Sequence, residues 1–425
     1  MAAVDELAAV AARVAGEDAV QVGSTAVCGV VPAIVVAPES VAAVSETLRW
    51  AHGRRLAVVP TGAGTKLEWG GVPRRIDLLL SLGRLDAVVA HRHGDLTATV
   101  QAGAPLGRVN ELLRREGQWL PLDPAYAARA TIGGIVATND AGPRRHRHGA
   151  PRELILGVTF VRADGAIASA GGIVVKNVAG YDLSRLLTGS FGALGVVVQA
   201  TFKLSPLPPA SRTVVAAGLN SGTIEGAIRA VMASQLTPSA LEVQGPPFAL
   251  LARFETVQEA SERQAEEVAA LWRGCGAADT RVLTGAAETE RWTAHHDAVW
   301  GREDDVCRIG LLPDQLPGLL EEFAGLLRHH GVDGQLAGRV ETGALHARIG
   351  SDAAASQSIV DRLRLRVEGG GGHVVVLRGS PALRAKVGPW GAMGDAARVM
   401  DAVKRRFDPE GILSQGRWPF AEGRA

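Results

Sequence analysis

Pro60-Thr-Gly-Ala-Gly-Thr-Lys66 follows without a break on Leu56-Ala-Val-Val-Pro60, an apolar run that reads as a short buried strand. Small residues in such a loop let successive backbone N–H groups approach an anion, and Thr61 and Thr65 add hydroxyl donors. Taken alone, the loop reads equally as a tight β-turn or as a phosphate cradle. Residue order excludes two familiar versions of the cradle. A P-loop needs Gly-Lys-Ser/Thr, but Thr65 precedes Lys66. A Rossmann fingerprint needs a third glycine, where Leu67 stands with no helix after it.

Upstream of the strand, a helix from about Pro38 places Val41, Val44 and Leu48 on one face and stops near Gly53, a suitable C-terminal cap. Downstream, Leu96-Thr-Ala-Thr-Val100 alternates like a half-buried strand, and Leu106, Val109, Leu112 and Leu113 mark an amphipathic helix. Two further glycine segments follow. The first is Pro121-Leu-Asp-Pro124 with Thr131-Ile-Gly-Gly-Ile-Val-Ala-Thr-Asn-Asp-Ala-Gly142; the second is Val175-Lys-Asn-Val-Ala-Gly-Tyr-Asp182, continuing to Gly189-Ser-Phe-Gly-Ala-Leu-Gly-Val196. Of the 52 glycines, 22 lie between Gly53 and Gly195. One such segment is ordinary; three in order are hard to explain by turns alone.

The rest of the chain sets bounds. At 425 residues, two domains or one with a large insertion are expected. Lys+Arg 45 against Asp+Glu 44 leaves no nucleic-acid footprint. Cys28, Cys275 and Cys307 are too few and scattered for a disulfide framework, a zinc site or an iron–sulfur cluster. Met1–Asp5 shows no signal-peptide pattern, and no apolar run approaches the ~20 residues of a bilayer span. A cytoplasmic protein is expected, peripheral on the inner face of the cell membrane through partners. Val158–Arg162, the Asp164-Gly165 turn and Ile167–Ser169 read as a hairpin, and Val196–Leu204 as a strand. Ser205-Pro-Leu-Pro-Pro209 is the clearest boundary. Beyond it, helices over Glu255–Trp272 and Leu316–His329 mix with strands at Leu241–Val243, Val282–Thr284, Leu345–Ile349 and His373–Arg378, an α+β pattern. Ala396–Phe407 reads as a final helix.

The three segments resemble the FAD-binding domain of the vanillyl-alcohol oxidase/p-cresol methylhydroxylase flavoprotein superfamily. More narrowly, Ala141-Gly-Pro-Arg-Arg145, Val175–Arg185 and Gly195 with its following valines resemble the FAD-binding E subunits of bacterial glycolate oxidases; Phe407-Asp-Pro-Glu-Gly-Ile-Leu413 with Gly416-Arg417 is similar to the C-terminal signature of that group. The resemblance implies an α+β fold: a two-subdomain FAD-binding domain over 1–210, an α+β cap contacting substrate or partner over 211–385, and a C-terminal helix and tail, 386–425, returning toward the FAD domain. It assigns Thr61, Gly62, Ala63, Gly64, Thr65 and Lys66 to the FAD pyrophosphate. It places Asp123, Thr131, Ile132, Gly133, Gly134, Thr138, Ala141 and Gly142 along the cofactor, Gly149 near the isoalloxazine and Val196 at the flavin or adenine end. Members that bind FAD covalently through the first loop carry histidine where this chain has Thr65, so a non-covalent, dissociable FAD is expected.

No catalytic residue is named by the sequence. Oxidation of a 2-hydroxy acid needs a proton acceptor and a cation for the carboxylate. His346 and Arg348 share one face of a strand near Arg339, which an amphipathic strand explains equally well. His295-His296 and His329-His330 read as solvated helix faces, and Trp272, Trp292 and Trp300 as core. Arg144-Arg-His-Arg-His148 with Arg152 reads as a solvated loop or as a surface for a partner subunit or a cofactor phosphate; a His146/His148 metal site is a poor third choice, and no metal is expected. The resemblance implies the FAD-binding subunit of a glycolate oxidase complex, taking a small 2-hydroxy acid and working beside a catalytic flavoprotein subunit and an iron–sulfur subunit. The alternatives are a free-standing FAD-linked 2-hydroxy-acid dehydrogenase or oxidase, and a non-catalytic flavin-binding assembly subunit.

Overall fold

The computed structural model describes residues 2–23, 25–173, 180–350 and 352–419. The chain divides into two compact units: Met1–Ala141 with Ala150–Leu207 and Met393–Ala425, and Gly142–Gly149 with Pro208–Ala392.

The first unit holds strands β1 (Val20–Val22), β2 (Ile34–Val36), β3 (Val58–Thr61), β4 (Leu78–Ser81), β5 (Val88–Arg92), β6 (Thr97–Gln101), β7 (Gln118–Trp119), β8 (Ile155–Val161), β9 (Ile167–Gly171), β10 (Val196–Lys203) and β11 (Ser205–Pro206). They form a four-stranded sheet, β1-β2-β4-β3, parallel except for β1, and an antiparallel five-stranded sheet, β5-β6-β10-β8-β9. Helix Val41–Gly53 packs on the first sheet with Val44 and Leu48 fully buried, and Ser40 Oγ accepts the Ala43 N–H at 3.1 Å as its N-cap. It stops at Gly53 as the sequence reading has it, but the cap lies further on. Gly53 is the last helical residue, and the left-handed turn falls on Arg55, φ 53°, where the Leu56 N–H returns to the Ala51 carbonyl at 2.9 Å. The run Leu96–Val100 also departs from expectation: Thr97 and Thr99 are buried along with Ala98 and Val100, and the hydroxyls of Thr99 and Thr201 meet across β6 and β10 at 2.9 Å. The hairpin β8–β9 turns at Gly165, φ 82°.

Helix Ala396–Phe407 ends in a buried ion pair. Lys404 Nζ lies 2.6 Å from Asp408 Oδ2 and donates to the carbonyls of Ala193 and Leu413 at 2.9 and 2.8 Å. Asp408 accepts the N–H groups of Ile412 and Leu413 in turn. Val58 of β3 then exchanges backbone bonds with this tail, to Ile412 O and from Ser414 N, both at 2.8 Å.

The second unit is built on an antiparallel sheet of β12 (Ala210–Leu219), β13 (Ala240–Gly245), β14 (Phe248–Thr256), β15 (Asp279–Leu283), β16 (Asp305–Gly310), β17 (Gly334–Arg339), β18 (Ala344–Ile349) and β19 (His373–Arg378), in the order β15-β12-β14-β13-β17-β18-β16-β19. The period-two pattern divides its faces. Val214, Val243, Phe254, Leu336, Leu345 and Ile309 meet helices Ser221–Met232, Gln258–Gly274, Leu316–His330 and Ala353–Gly369 in one core. Thr213, Arg253, Glu242, Arg339 and His346 lie on the opposite face, against which helix Gly285–Trp300 packs.

The basic stretch of the sequence is folded onto this unit and is not a solvated loop. Residues Arg145–His148 form a short helix; Arg144 Nη2 meets Glu255 Oε1 at 2.8 Å, and His146 Nδ1 meets Glu341 Oε2 at 2.7 Å. Burial holds both His146 and His148 below the usual histidine range. Glu255 and Glu288 are joined through Arg253, whose Nε lies 3.6 Å from the first and 3.0 Å from the second. Burial alone would raise the Glu255 carboxyl, but Arg144 and Arg253 beside it hold it at about 2.

The unfolded value is about 4.5, so this pair stabilises the fold fully above that pH and loses the contribution as pH falls toward 2. Glu255→Gln is expected to cost about 3 kcal/mol at pH 7. Urea unfolding of variant and parent should show the gap narrowing below pH 4.5; a gap that stays constant would remove this account.

Candidate functional site

Strand β3 carries the first loop, and the loop opens at the carboxyl end of the parallel strands, where α/β sheets commonly bind ligands. Two adjoining clefts lie there. Pro60, Thr61, Gly62, Thr131, Gly134 and Phe191 line both, so all three glycine-rich segments converge on them.

The loop is dressed for an anion. Among the described residues, none of the five consecutive N–H groups of Gly62–Lys66 donates to a protein acceptor. Five donors around a water-accessible cleft make the kind of nest that binds phosphate oxygens. Steric constraints hold the walls together. A Cβ on Gly62 would lie 2.0 Å from Thr131 Oγ1, one on Gly133 2.8 Å from Ala102 Cβ, and one on Gly192 2.5 Å from Pro60 Cγ. Gly64 has φ 73°, a left-handed conformation that side chains resist.

Of the residues singled out from sequence, Thr61, Gly62, Ala63, Gly64, Thr65, Lys66, Thr131, Gly133, Gly134, Thr138 and Val196 line the clefts. Lys66 does so with its ammonium already engaged: Nζ lies 3.3 Å from Asp140 Oδ2 and 3.2 Å from the Ala125 carbonyl, nearly inaccessible to solvent. Thr138 donates its hydroxyl to the Gly134 carbonyl at 2.7 Å, a bond within its own helix. Ile132 is fully buried, with its N–H bonded to Ala104 O at 3.0 Å. Asp123 and Ala141 sit off the cleft lining. Gly142 and Gly149 belong to the excursion into the second unit, where the Gly142 carbonyl accepts from Arg339 at 2.8 Å. Val175–Ala179 of the third segment lie outside the described residues.

Sequence reasoning missed Leu82 and Ala102, small or apolar residues that any core could carry; it quoted Ala137 and Phe191 within the second and third segments without assigning them to the cofactor, and it gave no cleft role to Arg417. Phe191 has φ 53°, a strained position for a bulky residue beside a ligand site.

In the second unit, the histidines divide. His295, read from sequence as solvated, is buried, with Nδ1 3.1 Å from Gln244 Oε1 and Nε2 3.2 Å from Glu242 Oε2. Helix Gly285–Trp300 turns this residue onto the charged sheet face, which sequence spacing alone did not reveal. His346 is half-buried against Trp300; burial and then Arg339, Arg308 and His295 hold it well below its ordinary value, so it is a neutral imidazole at physiological pH. Arg348 is committed to structure, bonding Asp304, Asp333 and the Ala298 carbonyl. Trp272 is fully buried and Trp300 nearly so.

Two family models match the chain: a FAD binding domain over residues 32–182, and the C-terminal domain of FAD linked oxidases over residues 225–418. A D-2-hydroxyglutarate dehydrogenase of Xanthomonas citri pv. viticola is 40% identical over 186 residues, which span 44% of this chain and 39% of that protein. The glycolate oxidase subunit GlcD of Escherichia coli (strain K12) is 28% identical over 420 residues, 91% of this chain and 83% of the relative. Among solved structures, p-cresol methylhydroxylase with substrate bound superposes with a TM-score of 0.75 at 14% identity, covering 97% of this chain and 96% of that one. The chain thus carries an FAD binding domain and the C-terminal domain of FAD linked oxidases, together spanning most of the sequence, on the fold of p-cresol methylhydroxylase.

Proposed function

We propose that this chain is an FAD-linked 2-hydroxy-acid oxidoreductase and, more finely, the FAD-binding subunit of a glycolate oxidase complex that converts glycolate to glyoxylate. The observation that carries the reading is the convergence of the three segments on one cleft with five unengaged N–H donors. The substrate class is supported by the relatives, whose names specify 2-hydroxyglutarate and glycolate, two acids with the hydroxyl on the carbon next to a carboxylate.

Thr61–Lys66 would hold the diphosphate of FAD by backbone donors and the two threonine hydroxyls, with Thr131, Ile132, Gly133, Gly134, Thr138 and Val196 along the remainder. Asp123 and Ala141 complete the assignment within the first unit. Bound FAD supplies a two-electron acceptor for the hydride of the substrate carbon. The chain's own part is to exclude water from the cofactor and to fix it by backbone geometry. Thr65 has no nucleophilic ring nitrogen to offer, so the cofactor is held non-covalently. Three dispersed cysteines cannot ligate a cluster, which supports onward transfer to an iron–sulfur partner and a second flavoprotein subunit. A free-standing dehydrogenase is the second reading, favoured by the alignment over 91% of the chain with a relative named as a probable D-lactate dehydrogenase. Among the described residues no helix is long and apolar enough to cross a membrane, so any membrane association would run through partners.

The purified chain should be yellow, and acid precipitation should leave the flavin in the supernatant; colour in the pellet would remove the non-covalent assignment. Anaerobic glycolate should bleach the flavin band in the co-purified complex, and bleaching of the isolated chain would favour the free-standing reading. Reduction by no 2-hydroxy acid in either preparation would sink the substrate class. Gly62→Val, which drives a side chain into Thr131, should abolish FAD retention, and Gly64→Ala should weaken it by on the order of tenfold through backbone strain of about 1–2 kcal/mol. Retention of a full flavin complement by the valine variant would show that this loop does not hold the cofactor.

A further inference from the structure

The C-terminal tail reaches the flavin loop from the far end of the sequence. Arg417 is 4% exposed, yet it lines the same cleft as Gly62–Lys66. Its Nη1 donates to the Leu67 carbonyl at 2.9 Å and its Nη2 to the Trp69 carbonyl at 2.6 Å. The Arg417 carbonyl accepts the Gly71 N–H at 3.1 Å, so the residue grips the loop exit with both backbone and side chain.

The register of this grip is fixed sterically. A Cβ on Gly71 would lie 1.9 Å from the Gly416 carbonyl oxygen, and one on Gly416, φ 76°, would lie 2.6 Å from the Val72 carbonyl oxygen. Neither segment can slide past the other. The same tail holds the opposite wall: Ser414 Oγ donates to the Phe191 carbonyl at 3.0 Å, and Trp418 stacks edge-on against the Phe191 ring.

We infer that Arg417 is a positioning residue for the cofactor, fixing the exit of the Gly62–Lys66 loop so that its N–H donors are ordered before the diphosphate arrives. The inference rests on the cleft being the FAD site proposed above. The loop's entrance is fixed by the β3–β4 ladder, and Lys66 is tied to Asp140. Among the described residues the exit has no ladder: Cys28 reaches it with a weak Sγ contact to the Leu67 carbonyl at 3.6 Å and its N–H to Glu68 at 3.0 Å, and the Arg417 guanidinium joins the Leu67 and Trp69 carbonyls. The planar guanidinium sends separate donors, Nη1 and Nη2, to the two carbonyls in one fixed geometry, whereas a lysine ammonium is a single point on a flexible stem. A loop ordered in advance binds more tightly because the ordering cost is not charged to the ligand.

The test uses full-length apoprotein of the parent, Arg417→Gln and Arg417→Lys, titrated with FAD and with ADP as the diphosphate half of the cofactor. Circular dichroism confirms the folded fraction, so affinity is read separately from stability. Arg417→Gln is expected to raise the Kd for both ligands by on the order of tenfold to a hundredfold, with Arg417→Lys between it and the parent. A merely structural role would lower Tm and leave the Kd of folded protein unchanged. Affinities within about twofold of the parent in both folded variants, or weaker FAD with unchanged ADP, would overturn the inference. Should the glutamine variant not fold, the lysine variant carries the same test. Parent protein that takes up no FAD would instead overturn the site assignment.

Discussion

Position 62 has no room for a side chain, and most of what the first unit does depends on that. The contact between Gly62 and Thr131 brings the loop after β3 against the start of helix Ile132–Thr138, and Gly133, Gly192 and Gly195 make matching close approaches to Ala102, Pro60 and Phe160. Each glycine costs roughly 0.5–1 kcal/mol of backbone entropy relative to alanine. Their joint effect is a cleft whose walls are main chain. Backbone walls present N–H groups at spacings set by covalent geometry, which is why a loop of threonine, alanine and glycine can hold a diphosphate without a free cation.

That last point corrects a habit of reading cations as ligands. Lys66 lies in the loop, but its ammonium answers Asp140 and Ala125. Lys404 is buried with Asp408, Arg144 is held by Glu255, and Arg417 bonds two carbonyls. A buried charge without a partner is costly, so a side chain that looks like an anion ligand in sequence is usually already bound to the protein that buries it. In the proposed site, affinity for the phosphates of FAD would then come from fixed dipoles inside a partly dry cleft, which salt screens less than surface charges.

Local chemistry was legible in the sequence and non-local chemistry was not. His373–Arg378 and Ala396–Phe407 are strand and helix over the residues expected, because alternation and amphipathic period are properties of a short window. The order of the three glycine segments was legible for a related reason: left-handed backbone and close approach demand one residue type. The order of the eight-stranded sheet depends on pairings such as Glu242 with Arg339, which no window contains. His295 was misread because its partners, Glu242 and Gln244, are on a strand about fifty residues upstream. Thr97 and Thr99 look polar in a periodicity count, yet β-branched hydroxyl residues bury readily when a cross-strand partner satisfies them, as Thr201 does for Thr99. Leu82 and Ala102 have no signature because a cleft wall of this kind asks only for small or apolar side chains.

The first unit is also discontinuous, and its cleft is completed by residues from the far end of the chain. Its sheets are laid down before residue 208, but β3 gains its outer partner only when Ile412–Ser414 arrives. Closing a flexible loop of nearly two hundred residues would cost about 5 kcal/mol by the logarithmic rule. The second unit has its own core, and folding it first shortens the loop that has to close. What remains is offset at the docking point by the Lys404–Asp408 pair, four hydrogen bonds to backbone around it, and the burial of Ile412 and Leu413 against β3. The residues that fix the loop exit, Gly416 and Arg417, follow that dock directly in sequence. The anion cradle is therefore encoded near residue 62 and becomes rigid only through residues more than three hundred positions later.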